Sequence, residues 1–167
     1  MNKWTEQIWQ TLQEEFSDLS DASQVTRIVL RLTLASALGG ILGFEREQKG
    51  KSAGVRTHML VAAGAALFVL IPQQAGVSDE ALMRALQGVL AGLGFLCAGS
   101  IIKSEGNEQV KGLTTAAGIW FTAAIGVAAG LGRDASAVVS TLLALIILSL
   151  IPKLPQLKDT PRSNTES

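Results

Sequence analysis

The sequence contains no tyrosine, one cysteine and one histidine, and only 17% of its 167 residues are charged. A soluble domain of this size carries about 25% charged residues. The lone Cys97 excludes an internal disulfide and leaves the redox compartment open. His58 has no second His or Cys at ligand spacing, which argues against zinc. Lys plus Arg equals Asp plus Glu at 14 each, so the charge balance points to no nucleic-acid partner. The opening MNKWTEQIWQ is polar and acidic, without the basic n-region and apolar h-region of a cleaved signal peptide.

What the chain has instead is apolar length: 48% of it is hydrophobic and its mean hydropathy is +0.35. Five apolar segments cover about 26–44, 57–74, 82–102, 112–131 and 135–152, each of roughly 17–21 residues. At 1.5 Å per residue each reaches across a bilayer core of about 30 Å. Alternation is absent and Ala and Leu dominate, so strands are not expected. A soluble helical protein would show polar stripes along these segments, and they are missing. The expected fold is an all-α integral membrane protein, a bundle of about five transmembrane helices over 25–152. No Ser-His or paired-Asp arrangement lies inside the segments, and Asp is absent from the middle of each, so neither an enzyme nor a carboxylate proton relay is expected.

An amphipathic helix over 1–24 precedes the bundle. Trp4, Ile8, Leu12, Phe16 and Leu19 recur on one helical face. The favoured placement packs this face on the rest of the protein. The other lays it in the membrane interface, which its acidic polar face disfavours because such helices prefer Lys and Arg. Residues 153–167 read as a short, disordered cytoplasmic tail. Nine basic residues (Arg46, Lys49, Lys51, Arg56, Lys103, Lys111, Lys153, Lys158 and Arg162) fall on one side of the five spans. Lys3, Arg27, Arg31, Arg84 and Arg133 fall on the other, which puts the N-terminus outside and the C-terminus in the cytoplasm.

Membrane helices associate through small residues that let backbones approach. Thr114, Gly118, Thr122, Gly126 and Gly130 form one stripe at a spacing of four, and Gly39-x-x-x-Gly43 and Gly88-x-x-x-Gly92 repeat the pattern. Gly118, Gly126 and Gly130 are therefore expected to meet a neighbouring helix at close range.

Between the first two segments, Gly50-Lys51-Ser52 ends like a phosphate-binding loop. A Walker A loop would need glycine where Glu45 stands, and would follow a buried strand rather than join two membrane segments. Glu45 and Arg56 flank the hairpin and are expected to approach each other across it. The runs GFERE…GKSAGVRTHMLVAAGAALF (43–68), GFLCAGSI (94–101) and VKGLTTAAGIWFTAAIGVAAGLG (110–132), with Arg31-Leu32, resemble the signature of the MgtC/SapB family of bacterial membrane proteins. Cys97 stands where the family pattern reads glycine.

The resemblance implies an inner-membrane protein that is not a recognised enzyme. Its relatives are linked to growth at low magnesium, to survival inside macrophages and, through contact with the proton-driven ATP synthase, to control of ATP and membrane potential. The virulence-associated members carry a cytoplasmic domain after the membrane part, so roles that depend on it do not carry over to a chain with only residues 153–167 beyond its fifth segment.

Two polar clusters emerge from this topology. The cytoplasmic one contains Glu45, Arg46, Arg56, Thr57, His58, Ser100, Lys103, Thr114 and Thr115, and reads either as a network tying helix ends together or as a docking or ligand-sensing surface. Glu45, Glu47, Glu105 and Glu108 offer oxygens to magnesium but sit in basic loops, and no metal or cofactor is assigned. The outer cluster contains Arg27, Arg31, Arg84 and Gln87. Arg31 lies about one turn inside its segment, where it either snorkels or contacts another helix through Gln87 or an outer carboxylate. The expected role is regulation or interaction in adaptation to magnesium limitation, acid or host stress. The expected partners are membrane lipid and either further copies of the chain or another membrane protein, the ATP synthase included by resemblance. The rival is a transporter or channel for a cation or small solute.

Overall fold

The computed structural model describes residues 2–15, 21–103 and 110–150. Helix α1 spans Lys3–Glu15, α2 Ala22–Gln48, α3 Val55–Gln74, α4 Asp79–Gly99, α5 Leu113–Gly130 and α6 Asp134–Leu150. Helices α2, α3, α4 and α5 are long and apolar enough to cross a membrane, and α6 is an apolar helix of 17 residues. Inside each helix the backbone hydrogen bonds close on the helix itself, the arrangement that lets a main chain cross lipid. The protein is an all-α membrane protein, and the five apolar helices match the five segments to within a few residues at each end. One small departure lies between α4 and α5, where Ile102–Lys103 (β1) pairs antiparallel with Val110–Lys111 (β2).

The helix starts have local causes. Asp21 caps α2 by accepting from the Ser23 amide at 2.9 Å and the Ser23 hydroxyl at 3.0 Å. The Ser23 amide, with help from the hydroxyl, holds the Asp21 carboxyl below its ordinary value. Because the native pKa is the lowered one, the cap's contribution is complete above the ordinary aspartate value and is lost as pH falls through the native value. Asp21→Ala is expected to speed amide exchange at Ser23 at neutral pH and to remove that acid dependence. Glu47 caps α3 from outside the helix, its carboxylate accepting from the Val55 amide at 2.9 Å. Ser78 caps α4. Among the described residues no side chain caps α5.

Helices α2, α3 and α5 pack mutually, and α6 lies across α2 and α5. The core they share is Ala35, Leu38 and Leu42 from α2, Ala62 and Ala66 from α3, Ile125 and Ala129 from α5, and Ala137 and Ala144 from α6. Glycines set the spacing. A Cβ on Gly39 would sit 2.5 Å from the His58 carbonyl oxygen and 2.9 Å from the Ala62 Cβ. One on Gly43 would sit 2.6 Å from the Val55 Cα. One on Gly126 would collide with the Ala62 carbonyl oxygen, and one on Gly130 would sit 2.7 Å from that of Ala66. Ala62 of α3 is thus held between a glycine of α2 and a glycine of α5.

Three expected packing glycines behave differently. None of the described residues lies within 4 Å of a Cβ built on Gly88 or Gly92, and the nearest described atom to one on Gly118 is His58 Nε2 at 3.8 Å. The Gly88–Gly92 face of α4 therefore points away from the other described helices, and Gly118 borders a cavity rather than a backbone. Spacing alone marks a smooth helix face; it does not say which neighbour the face meets. Among its described residues α4 buries nothing, and Phe95 on it is 87% exposed. The stripe's Thr122 also turns inward on its own helix, donating to the Gly118 carbonyl at 2.8 Å.

Helix α1 corrects the favoured placement. Every described residue of α1 is exposed, with Trp4 at 74% and Trp9 at 64%, so the helix is not packed on the bundle. A hydrophobic period predicts a covered face but not what covers it. Phe16, Leu19 and the 153–167 tail lie outside the described residues.

Candidate functional site

Where α2 and α4 end and α5 begins, the structure forms an open cavity of about 630 Å³. Arg46 from the last turn of α2, Lys51 and Ser52 from the α2–α3 loop, Ser100 from the end of α4, Lys111, and the first turn of α5 line it. Arg46 is the unusual member. It is 2% exposed, and its Nη1 lies 3.6 Å from the Glu45 carboxylate, too far for a hydrogen bond. Its Nε and Nη2 have no partner among the described residues. Glu45 is shared: its carboxylate is within ion-pair distance of Arg46 and also pairs with Lys49, whose ammonium donates to the Leu148 carbonyl at the end of α6.

The opposite wall is the start of α5. Gly112 takes a left-handed backbone (φ 98°), and a Cβ there would collide with the Ser100 carbonyl oxygen, so glycine lets α5 begin directly against the end of α4. The Ser100 hydroxyl donates to Cys97 O at 2.7 Å, and the Cys97 thiol reaches Ala116 O at 3.3 Å, joining α4 to α5. A glycine in place of Cys97 would forgo that contact.

His58 sits apart from this cavity. It is 1% exposed, and its Nδ1–H donates to the Gly54 carbonyl at 2.9 Å, one turn back on α3. The ring borders a second cavity of about 200 Å³, lined mainly by apolar side chains including Leu42, Phe121, Ile147 and Leu148.

At the far end of the bundle Arg31 bridges three elements. Its Nη1 donates to Gln73 Oε1 at 3.0 Å and to the Gly130 carbonyl at 2.8 Å. A cation on the closing carbonyls of α5 is favoured by their partial negative charge. A cavity of about 170 Å³ lies beside it, lined by Asp21, Arg27 and Gln73 among others.

The two clusters read from the sequence are therefore partly regrouped. Arg46, Ser100, Thr114 and Thr115 share the basic cavity, with Lys51, Ser52 and Lys111 added. Glu45 and Arg56 do not pair. Arg56 is exposed on the first turn of α3, and Glu45 faces Lys49 because an i, i+4 partner on its own helix is nearer than the far side of the loop. Thr57 is half-buried beside His58 and makes no side-chain hydrogen bond among the described residues. Arg31 makes an interhelical contact, but through Gln73 and Gly130 rather than Gln87. Arg84 and Gln87 are exposed on α4 and join neither Arg27 nor Arg31. The side chain of Lys103, with Glu105 and Glu108, lies outside the described residues. Gln73 was missed because a polar residue at a helix end looks like ordinary solvated surface, and Glu47, named only for its oxygens, caps α3 instead; its position eight residues before Val55, across a tight hairpin, was the available signal.

Five apolar helices, three of them joined by close glycine contacts, with arginines held at both ends, define a small multi-pass helical membrane protein. The MgtC family model matches residues 32–157, and the chain belongs to that family. It is 44% identical over 138 residues to Protein SrpB of Synechococcus elongatus, covering 76% of each chain. It is 37% identical to the Escherichia coli K12 protein named "Putative magnesium transporter YhiD", over 75% of this chain and 61% of that one. It is 41% identical to Protein MgtC of Brucella abortus, over 73% of this chain and 50% of that one, and so spans about half the length of that relative. No solved structure matches. The protein is thus a multi-pass bacterial membrane protein.

Proposed function

We propose that the chain is a non-enzymatic interaction protein of the bacterial inner membrane, acting in adaptation to magnesium limitation by self-association through α4. The observation that carries this reading is the outward face of α4, where Gly88 and Gly92 are open and no residue is buried. In lipid there is no hydrophobic drive to cover such a face, but a small-x-x-x-small surface gains close backbone packing when a second helix meets it. The spacing is self-complementary, which favours a second copy of this chain as the occupant. The magnesium context rests on the family and on the name YhiD bears. The basic residues gathered at the Arg46 end support an outside N-terminus and a cytoplasmic C-terminus.

The transporter reading is less well supported. Between Arg31 and Arg46 the shared core is aliphatic apart from His58, which bonds within its own helix at Gly54, and the buried hydroxyls of Thr122 and Thr141 do the same. A conducting path would place polar side chains from several helices in that layer. The experiment is a single cysteine at Gly92, in a chain with Cys97→Ala, crosslinked in native membranes of magnesium-limited cells and paired with ion flux into proteoliposomes. A homodimer adduct with no selective flux is the expected result. An adduct to a different membrane protein would replace the partner, and robust selective magnesium flux with a monomeric chain would overturn the proposal.

A further inference from the structure

We propose that the basic cavity at the Arg46 end is a binding site for a phosphate group, carried either by an anionic lipid headgroup or by a soluble phosphate. Arg46 is the starting point. Its guanidinium is buried at 3% side-chain exposure, lines the cavity, and leaves Nε and Nη2 without a partner among the described residues. A buried cation lacking hydrogen bonds is costly, and the fixed fork of arginine donors matches two phosphate oxygens at once. The first turn of α5 forms the facing wall, with no side chain among the described residues capping it, so its opening amides point partial positive charge at the same space. Lys51 and Lys111 add two exposed ammonium groups, and no carboxylate lines the cavity among the described residues.

Size and place narrow the ligand. A cavity of about 630 Å³ is far larger than a bare halide needs and accepts a phosphate with the group attached to it. It opens among three helix ends and the α2–α3 loop, the level at which lipid headgroups and soluble anions are both within reach. The Gly50-Lys51-Ser52 run that fails as a Walker A loop contributes Lys51 and Ser52 to this wall without a nucleotide fold around them. This site is independent of what α4 recruits.

The test uses the full chain in nanodiscs, following the amides of Leu113 and Thr114 by NMR at constant ionic strength with chloride as the balancing anion. One arm titrates inorganic phosphate into phosphatidylcholine discs. The other compares phosphatidylglycerol discs with phosphatidylcholine discs, without added phosphate. Shifts in the first arm identify a soluble phosphate as a ligand, shifts in the second a lipid phosphate, and either supports the site. The exposed pair Lys51→Gln with Lys111→Gln is expected to weaken binding about tenfold, since each removes a charge-assisted contact. Arg46→Lys, which keeps the charge but loses the fork, is expected to weaken it further. No shift in either arm, or shifts unchanged in the double lysine variant, would overturn the proposal.

Discussion

Gly126→Leu is expected to abolish the folded bundle, whereas Gly88→Leu leaves the monomer as stable as the parent. The contrast follows from what each new side chain would meet. At Gly126 even a Cβ collides with the backbone carbonyl of Ala62, and a backbone atom cannot swing aside as a side chain can. Overpacking that side chains absorb costs about 1–3 kcal/mol. Here α3 and α5 must separate, and Ala62 is also pressed from the other side by Gly39, so α2 loses its seat too. Total stability of a domain is only about 5–15 kcal/mol, so losing one three-helix contact of this kind is enough. Gly126→Ala should fall between the two. Thermal unfolding and size-exclusion profiles in mild detergent read the effect. A Gly126→Leu chain that melts with the parent would sink the packing account. Gly88→Leu should instead reduce the crosslink through α4.

Removing Arg31 is expected to destabilise the bundle by about 2 kcal/mol, the range for hydrogen bonds to a charged group. Two effects compete. Deleting a charge from a membrane segment favours insertion, by about 2.5 kcal/mol at the helix centre and by less near an end. Unfolding in detergent starts from helices already inserted in the micelle, so that gain nearly cancels between folded and unfolded states. The lost bonds to Gln73 and to the closing carbonyl of α5 at Gly130 do not cancel. Arg31→Lys keeps one donor at the helix end and should cost about half as much. Gln73→Ala should cost less than Arg31→Ala, because the Gly130 bond survives. If Arg31→Ala unfolded at the same denaturant concentration as the parent, the residue would be a snorkelling charge and not a latch.

Much of the architecture is legible without coordinates. Residues 113–130 and 134–150 are helices because long Ala- and Leu-rich runs, uncharged beyond Asp134 at the start of the second, have no other way to satisfy their backbone in lipid. The motif around residues 43–68 identifies the family. The candidate site was half legible. Arg46, Ser100, Thr114 and Thr115 stand out as polar residues at helix ends, but pairing Glu45 with Arg56 failed. A hairpin brings its two ends near one another without fixing the rotation of either helix, and rotation decides which side chain finds which. Lys111 joins Arg46 only because α5 returns beside α2.

The amino-acid sequence by itself determined the number and length of the apolar helices, the family, and which faces are smooth enough for close approach. These are local properties, carried by hydropathy and side-chain size over a turn or a segment. The tertiary structure alone decided that Gly126 meets a backbone while Gly88 meets none, that Arg31 grips α5 through Gly130, and that Arg46 is buried against an open basic cavity. In a membrane an apolar residue is equally at home against lipid or against another helix, so its identity does not say which way it faces. Only the summed packing of all the helices sets that choice.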